Sequence, residues 1–276
     1  MFILAVLAPV AQAFAQAVTV NGSETLLGLS QRWADAYKGK HSGTTIQVSA
    51  NGAAAAFAAL AGKKLDLALV SRSIRYKEAD ACEAALGQRP AAHKVSVYGL
   101  AVYVNANNPV KVLTYDELFG IFRGKHKDWK DVGGEKSAIT VYSQNTNSAP
   151  GELFNEEVLA GKGVSGKVQI LADAEMLKAV ANDPKGIGYG ALAEAAGVRT
   201  MSIKRAYSTL IPADPTEEAI ANRTYPISRF VYAYSDAKAD KAEVKAYLDW
   251  ILSDEGQQIA KAAGYFVLPT KWRSSP

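Results

Sequence analysis

Four short stretches of the 276-residue sequence gather small polar side chains where chemistry could occur. They are Gly22-Ser23-Glu24-Thr25, Asn51-Gly52, Ser71-Arg72-Ser73, and the run Ser143-Gln144-Asn145-Thr146-Asn147-Ser148. The last is six polar, uncharged residues in succession, ahead of Ala149-Pro150-Gly151-Glu152. Three of the stretches join a strand-like segment to a helix-like one, and Ser71-Arg72-Ser73 ends a strand-like segment. Helix N-termini present unpaired N–H groups and about half a positive charge. Ligands of α/β sheets gather outside the carboxyl ends of strands. Small residues let a ligand approach those amides, so the four junctions together predict an anion site that needs few cationic side chains. At any single junction, N-capping accounts for Ser, Thr and Asn equally well.

Other chemistries find little support. His41, His93 and His126 stand far apart without metal-ligand spacing, and no H-E-x-x-H, C-x-x-C or G-x-S-x-G occurs. Cys82 is the only cysteine, which excludes an intrachain disulfide. No cofactor motif is legible, and an enzyme is not expected. The net charge of +4 is spread along the chain without a basic tract, which disfavours nucleic-acid binding.

The junctions need elements to hold them. From Val18 onward strand and helix patterns alternate. Leu26, Leu29, Trp33 and Tyr37 recur at three- and four-residue intervals and predict one buried helix face, capped by Ser23 or Thr25. TTIQVS and LDLALV read as strands, the alanine-rich stretch after Asn51-Gly52 as a helix, and residues 76–86 as another. HKVSVYGLAVYVN predicts one or two long strands, and Thr114-Tyr115-Asp116-Glu117 has the form of a capping box. Pro150 suits a helix's first turn, and Leu153, Phe154, Val158 and Leu159 supply that helix's apolar side. KVQIL, GIGYG and RFVYAYS read as strands, with a helix over DAEMLKAVAND and a short one after GIGYG. Two C-terminal helices meet at Ser253. The alternation predicts an α/β fold with mostly parallel sheets. No linker is visible, so two domains would have to share crossing strands.

Residues 1–15 are set aside. Phe2–Val10 is apolar and too short to span a bilayer, and Ala13-Phe14-Ala15 gives a small-x-small cleavage pattern. These features predict a signal peptide and export to the periplasm, with a mature start near Gln16 or Val18.

On these residues the chain resembles the periplasmic phosphate-binding receptors of ABC importers, in the subgroup with a G-S-D-T start. The matching stretches, in order, are GSETLLGLSQRWADAY (22–37), LALVSR (67–72), VYGLAVYVNANNPVKVLTYDELFGIF (97–122), GIGYGAL (186–192), TYPISRFVYAY (224–234) and LDWILSDEGQQIAKAAGYFVLP (248–269). The resemblance implies a two-lobed type II periplasmic-binding-protein fold, each lobe a mixed sheet flanked by helices. Residues 18–100 with 228–276 would form lobe 1, and 101–227 lobe 2. It further implies phosphate or a related oxyanion as ligand, captured by hinge closure and passed to permease subunits, and a monomer.

Carried over residue by residue, it places Ser23, Glu24 and Thr25 at the ligand, with Glu24 where most relatives have Asp. Asn51, Gly52 and the backbone of Ala53 would follow, then Ser71 and Arg72. Arg72 either grips an oxyanion with its guanidinium fork or braces the loop. From the polar run come Gln144, Asn145, Thr146, Ser148 and the backbone of Ala149. Two departures stand out. The hydroxyls that usually open the second helix are replaced by Ala53-Ala54-Ala55, and a loop that usually reads Gly-Arg-Asn/Asp-Ser-x-Ser-Gly-Thr has Gln144 for the Arg and Pro150 for the Thr. They leave open a second reading, a receptor-like module with a lost or altered ligand that acts in adhesion, signalling or scaffolding.

Overall fold

The computed structural model describes residues 16–192, 197–205, 211–239 and 241–273. The expected signal peptide lies outside these, as do residues 193–196, in the stretch after GIGYG where a short helix is expected. The strands are β1 (Gln16–Gly22), β2 (Thr44–Val48), β3 (Leu67–Val70), β4 (Ala91–Gly99), β5 (Ala101–Asn105), β6 (Val112–Thr114), β7 (Thr140–Ser143), β8 (Val168–Ile170), β9 (Gly186–Gly190), β10 (Val198–Thr200), β11 (Ser202–Lys204) and β12 (Ser228–Ser235). The helices are α1 (Leu27–Lys40), α2 (Ala53–Ala61), α3 (Tyr76–Leu86), α4 (Tyr115–Phe122), α5 (Ala149–Glu157), α6 (Asp173–Asn182), α7 (Glu217–Ala221), α8 (Ala242–Leu252) and α9 (Asp254–Ala262).

Two five-stranded sheets organise two lobes, in the orders β2-β1-β3-β12-β4 and β10-β5-β9-β7-β8, and β11 pairs with β6 in a small third sheet. The expectation of mostly parallel sheets is corrected. In the first, β1 runs parallel to β2 and β3, while β12 is antiparallel to β3 and β4. The second likewise joins parallel β7–β8 and β7–β9 pairs to antiparallel β5–β9 and β5–β10 pairs. The physical reason is connectivity. β2 and β3 return to β1, and β8 and β9 to β7, through helices and pair parallel with it, whereas β12, which brings the chain back from the second lobe, runs antiparallel to β3 and β4. Gln16 and Ala17 pair with Thr44 and Thr45, so β1 starts two residues ahead of the Val18 boundary.

HKVSVYGLAVYVN breaks at Leu100, with β4 in one sheet and β5 in the other. The return passes through Tyr225–Ile227 into β12, and the Leu100 amide donates to the Ile227 carbonyl at 3.0 Å. Leu26, Leu29, Trp33 and Tyr37 are all buried as the spacing predicts. The Trp33 indole N–H donates to the Gly256 carbonyl at 2.7 Å and ties α1 to α9. Buried Gln257 donates to the carbonyls of Val95 and Ile251 and accepts the Leu268 amide, which docks the C-terminal segment on β4. Ser253 ends α8 and caps α9 through its hydroxyl.

The first junction depends on a close approach. At Gly22 a Cβ would lie 1.6 Å from the Leu69 carbonyl oxygen, so only glycine lets β1 and β3 come together as Ser23 leaves the sheet. Gly22→Ala is expected to cost at least about 1–3 kcal/mol of stability through overpacking. Gly28→Ala, on the exposed side of α1 with nothing within 4 Å of its Cβ, is expected to gain up to about 1 kcal/mol. Urea denaturation of the two variants beside the natural protein measures both.

Candidate functional site

The strand ends of the first sheet meet the start of α5 from the second across a cavity of about 520 Å³. Ser23, Glu24 and Thr25 line it from the end of β1, and Gly52, Ala53 and Ala54 from the start of α2. Ser71 and Arg72 line it from the end of β3, and Thr146, Asn147 and Glu152 from the other lobe. Each of the four polar junctions therefore contributes to one interlobe cleft. A cavity of similar size, about 550 Å³, opens at the opposite end of the first sheet between α2 and α8, with mainly apolar walls. None of the four junctions reaches it.

Side-chain bonds hold the junctions in register. The Asn21 carboxamide oxygen accepts the amides of Gly22 (2.8 Å) and Asn51 (3.0 Å), joining the first junction to the second. Ser23 Oγ accepts from the Ser71 amide (3.1 Å) and lies 3.2 Å from the Ser71 hydroxyl oxygen, to which it can donate, joining the first to the third. Ser23 thus does not cap the following helix with its side chain, as the sequence suggests; its hydroxyl is used between strands. Thr25 does not cap it either: its Oγ1 is buried without a partner among the described residues. Gly52 adopts φ +89°, which favours glycine, and aims the first turn of α2 at the cleft. The amides of Ala53, Ala54 and Ala55 have no carbonyl behind them within that helix.

In this conformation Arg72 braces lobe 1. Its guanidinium meets Glu78 with Nη1–Oε2 at 2.8 Å and Nη2–Oε1 at 2.7 Å. That pairing holds Arg72 above its ordinary pKa and Glu78 below the usual carboxylate range, against the effect of burial in both. The fork is spent inside lobe 1, six residues from its origin.

The polar run divides by face. Thr146 and Asn147 look into the cleft. Gln144, Asn145 and Ser148 instead line a separate recess of about 440 Å³ against Ile170, Leu171 and Ala172. They do not line the cleft in this conformation, and each is engaged by the fold. Gln144 is buried and donates from Nε2 to the Tyr189 carbonyl at 3.1 Å. Asn145 closes a turn by accepting the Asn147 amide, and Ser148 caps α5 by accepting the Gly151 amide. Asn51 and Ala149 do not line the cleft; Asn51 is held by Asn21, and Ala149 is the first residue of α5.

Asn147 and Ala54 line the cleft from within the junctions the sequence singles out, whereas Glu152 is a cleft residue that sequence reasoning passed over. Glu152 stands in the first turn of α5. Its Oε1 accepts from the Ser71 hydroxyl at 3.1 Å and from Arg229 Nη2 at 3.1 Å. Arg229 also pairs with Glu156 of the same helix. A carboxylate from one lobe thus reaches a hydroxyl and a guanidinium of the other. A buried-strand pattern interrupted by one arginine, Ser228-Arg229-Phe230-Val231, was the available cue.

Residues 8–255 match the sequence model of the PBP superfamily domain. The chain belongs to the PBP superfamily. Among the relatives of this PBP-family chain is the phosphate-binding protein PstS of Pseudomonas aeruginosa, 31% identical across 91% of this chain and 82% of that protein. Protein SphX of Synechococcus elongatus is 28% identical across 95% of this chain and 81% of its own length. Among solved structures, a "possible phosphate binding protein" from Planctomyces limnophilus superposes with a TM-score of 0.80 at 25% identity, covering 94% of this chain and 95% of that one. The two-lobed type II fold of the PBP superfamily is therefore the fold of this chain.

The division of the polar run predicts unequal sensitivity. Gln144→Ala is expected to lower unfolding free energy by about 1–3 kcal/mol, because it leaves buried partners unsatisfied. Thr146→Ala, on the exposed cleft side, is expected to change it by less than about 0.5 kcal/mol. Chemical denaturation of both variants checks this.

Proposed function

We propose that this PBP-family protein is a solute receptor that captures phosphate or a similar oxyanion between its lobes and delivers it to an ABC permease. The observation that carries the reading is the convergence of the four polar junctions on one interlobe cavity. Ser23, Glu24, Thr25, Ser71, Thr146 and the amides of Ala53 and Ala54 are the groups assigned to the ligand. The name of the PstS relatives, phosphate-binding protein, favours this reading over a module acting in adhesion, signalling or scaffolding. The PstS relatives bear the name of binding proteins rather than enzymes, and the cleft chemistry is that of reversible capture.

Several attributes follow as part of the same proposal. The apolar stretch before the small-x-small pattern supports export to the periplasm. Among the described residues no helix is long and apolar enough to cross a membrane. The protein acts as a monomer, with permease subunits as partners.

The amides at the start of α2 can be tested without disturbing the helix. Proline is tolerated at the first helical position, where its missing N–H has no intrahelical role. Ala53→Pro is expected to weaken inorganic phosphate binding about tenfold, the loss of one hydrogen bond to a charged group, at an unchanged melting temperature. Calorimetric titration with phosphate, with sulfate as the comparison anion, measures it. Absence of binding heat from every phosphoryl compound tried would remove the oxyanion reading.

A further inference from the structure

The cavity of about 550 Å³ between α2 and α8 lies at the end of the first sheet away from the cleft, and the capture of an oxyanion makes no use of it. Cavities of roughly 300–1,000 Å³ with apolar walls and a few convergent polar groups are the usual setting for a small ligand. Here the walls are Leu60 on α2, Leu65 before β3, Ala91 at the start of β4, and Val244 and Leu248 on α8. The floor's polar groups are His93 and Ser235, which meet between β4 and β12 with Nε2 and Oγ 3.2 Å apart. His93 is 9% exposed, and its Nδ1 has no hydrogen-bond partner among the described residues. Burial pushes its pKa below the ordinary histidine value, against the pull of Asp249. The imidazole is therefore neutral near pH 7, and the floor bears no charge.

Charge is confined to the rim. Lys241 Nζ lies 2.5 Å from Asp66 Oδ1, and the other oxygen of Asp66 accepts the Thr19 amide and hydroxyl, so this ion pair is satisfied within the fold. Lys63 and Lys245 also line the cavity; both are exposed and form no ion pair among the described residues. The remaining carboxylate of the lining, Asp236, accepts the Lys238 amide at 3.0 Å. Lys63 adopts φ +54° although a glycine stands beside it at position 62. A long cationic side chain is thus kept at a left-handed position that glycine takes at lower cost.

We infer that this cavity is a second binding site, for a small amphipathic anion such as a medium-chain fatty acid or an aryl carboxylate. The apolar tail occupies the space between α2 and α8. The carboxylate stays at the rim, where Lys63 and Lys245 stand and where its charge need not be taken out of water. Two unpaired ammonium groups against one carboxylate favour an anion over a cation of the same shape. Every wall belongs to the first sheet or to the helices beside it, so the site is complete within one lobe and its occupation does not require closure of the cleft. The inference does not rest on the oxyanion reading.

Octanoate and octylamine, probes of one chain length and opposite charge, test this by calorimetric titration. The natural protein is expected to bind octanoate about fivefold or more tightly than octylamine, the scale of exposed charge pairs. Replacing both free lysines, Lys63→Gln with Lys245→Gln, is expected to bring that ratio below about twofold. Of the three histidines only His93 lines the cavity. Octanoate is therefore expected to shift one imidazole proton NMR signal, the one missing from His93→Gln. Ala237→Trp, at the exposed rim, obstructs the mouth and is expected to abolish both the heat and the shift at an unchanged melting temperature. Equal affinity for the two probes, or a ratio unchanged by the lysine replacements, overturns the assignment to an anion. A shift spread over all three histidine signals, or heat that persists in Ala237→Trp, marks adsorption elsewhere and overturns the site. Absence of octanoate binding overturns the inference whatever the result with phosphate.

Discussion

A guanidinium that is only 5% exposed dictates much of this molecule. Arg229 lies at the start of β12, where the chain has just re-entered lobe 1. A buried charge without acceptors would be prohibitively costly, and removing one member of a buried pair typically costs about 3–5 kcal/mol. Both acceptors, Glu152 and Glu156, come from one side of α5 in the other lobe, four residues apart and so one turn apart. That requirement fixes how α5 meets the first sheet. With α5 placed, its cap at Ser148 and Pro150 in its first turn follow, and the loop behind them has one path. Thr146 and Asn147 then face the cleft, and Gln144 turns inward to Tyr189.

The same economy governs the cleft's electrostatics. Each arginine beside it has been given carboxylates by its own chain: Glu78 for Arg72, Glu152 and Glu156 for Arg229. What remains for a ligand is the field of a helix start and a set of short hydroxyls. Such donors are weaker individually than a guanidinium, but they are fixed by strand geometry and need no side-chain ordering. Gly22, Asn21 and Gly52 serve this arrangement without presenting a functional group. One permits the close strand contact, one ties two junctions, and one turns the helix toward the cavity.

Much of this was legible in the residues. The buried spacing of Leu26, Leu29, Trp33 and Tyr37, the Thr114–Glu117 capping box and the Ser253 junction are local patterns, and local patterns survive folding. The convergence of the four junctions was legible too, because strand-to-helix turns share one edge of a sheet. What the residues left illegible involves partners distant in sequence or choices of face. Nothing in Gln144 itself says whether it points at a ligand or at Tyr189, 45 residues on. Glu152 reads as an ordinary acid near a helix start until Arg229, 77 residues away, is placed beside it. Arg72 had two readings, and the bracing one needed Glu78, on the next helix, to be placed beside it. Parallel against antiparallel pairing was missed because β4 and β12 serve as passages between lobes as well as sheet members.

Those passages carry a mechanical consequence. Leu100 and Ile227 lie side by side, both fully buried, and are laced by a backbone hydrogen bond. A body suspended from a single strand can swing and also spin about it. Two strands fastened edge to edge resist spinning and shearing, and yield only by folding across the line they share. Bending across that shared line is therefore the motion such a connection opposes least. Along it, a residue on one bank of the cleft always returns to the same opposite number, so the alignment of Ser71 with Glu152 is a property of the ribbon as much as of the two side chains.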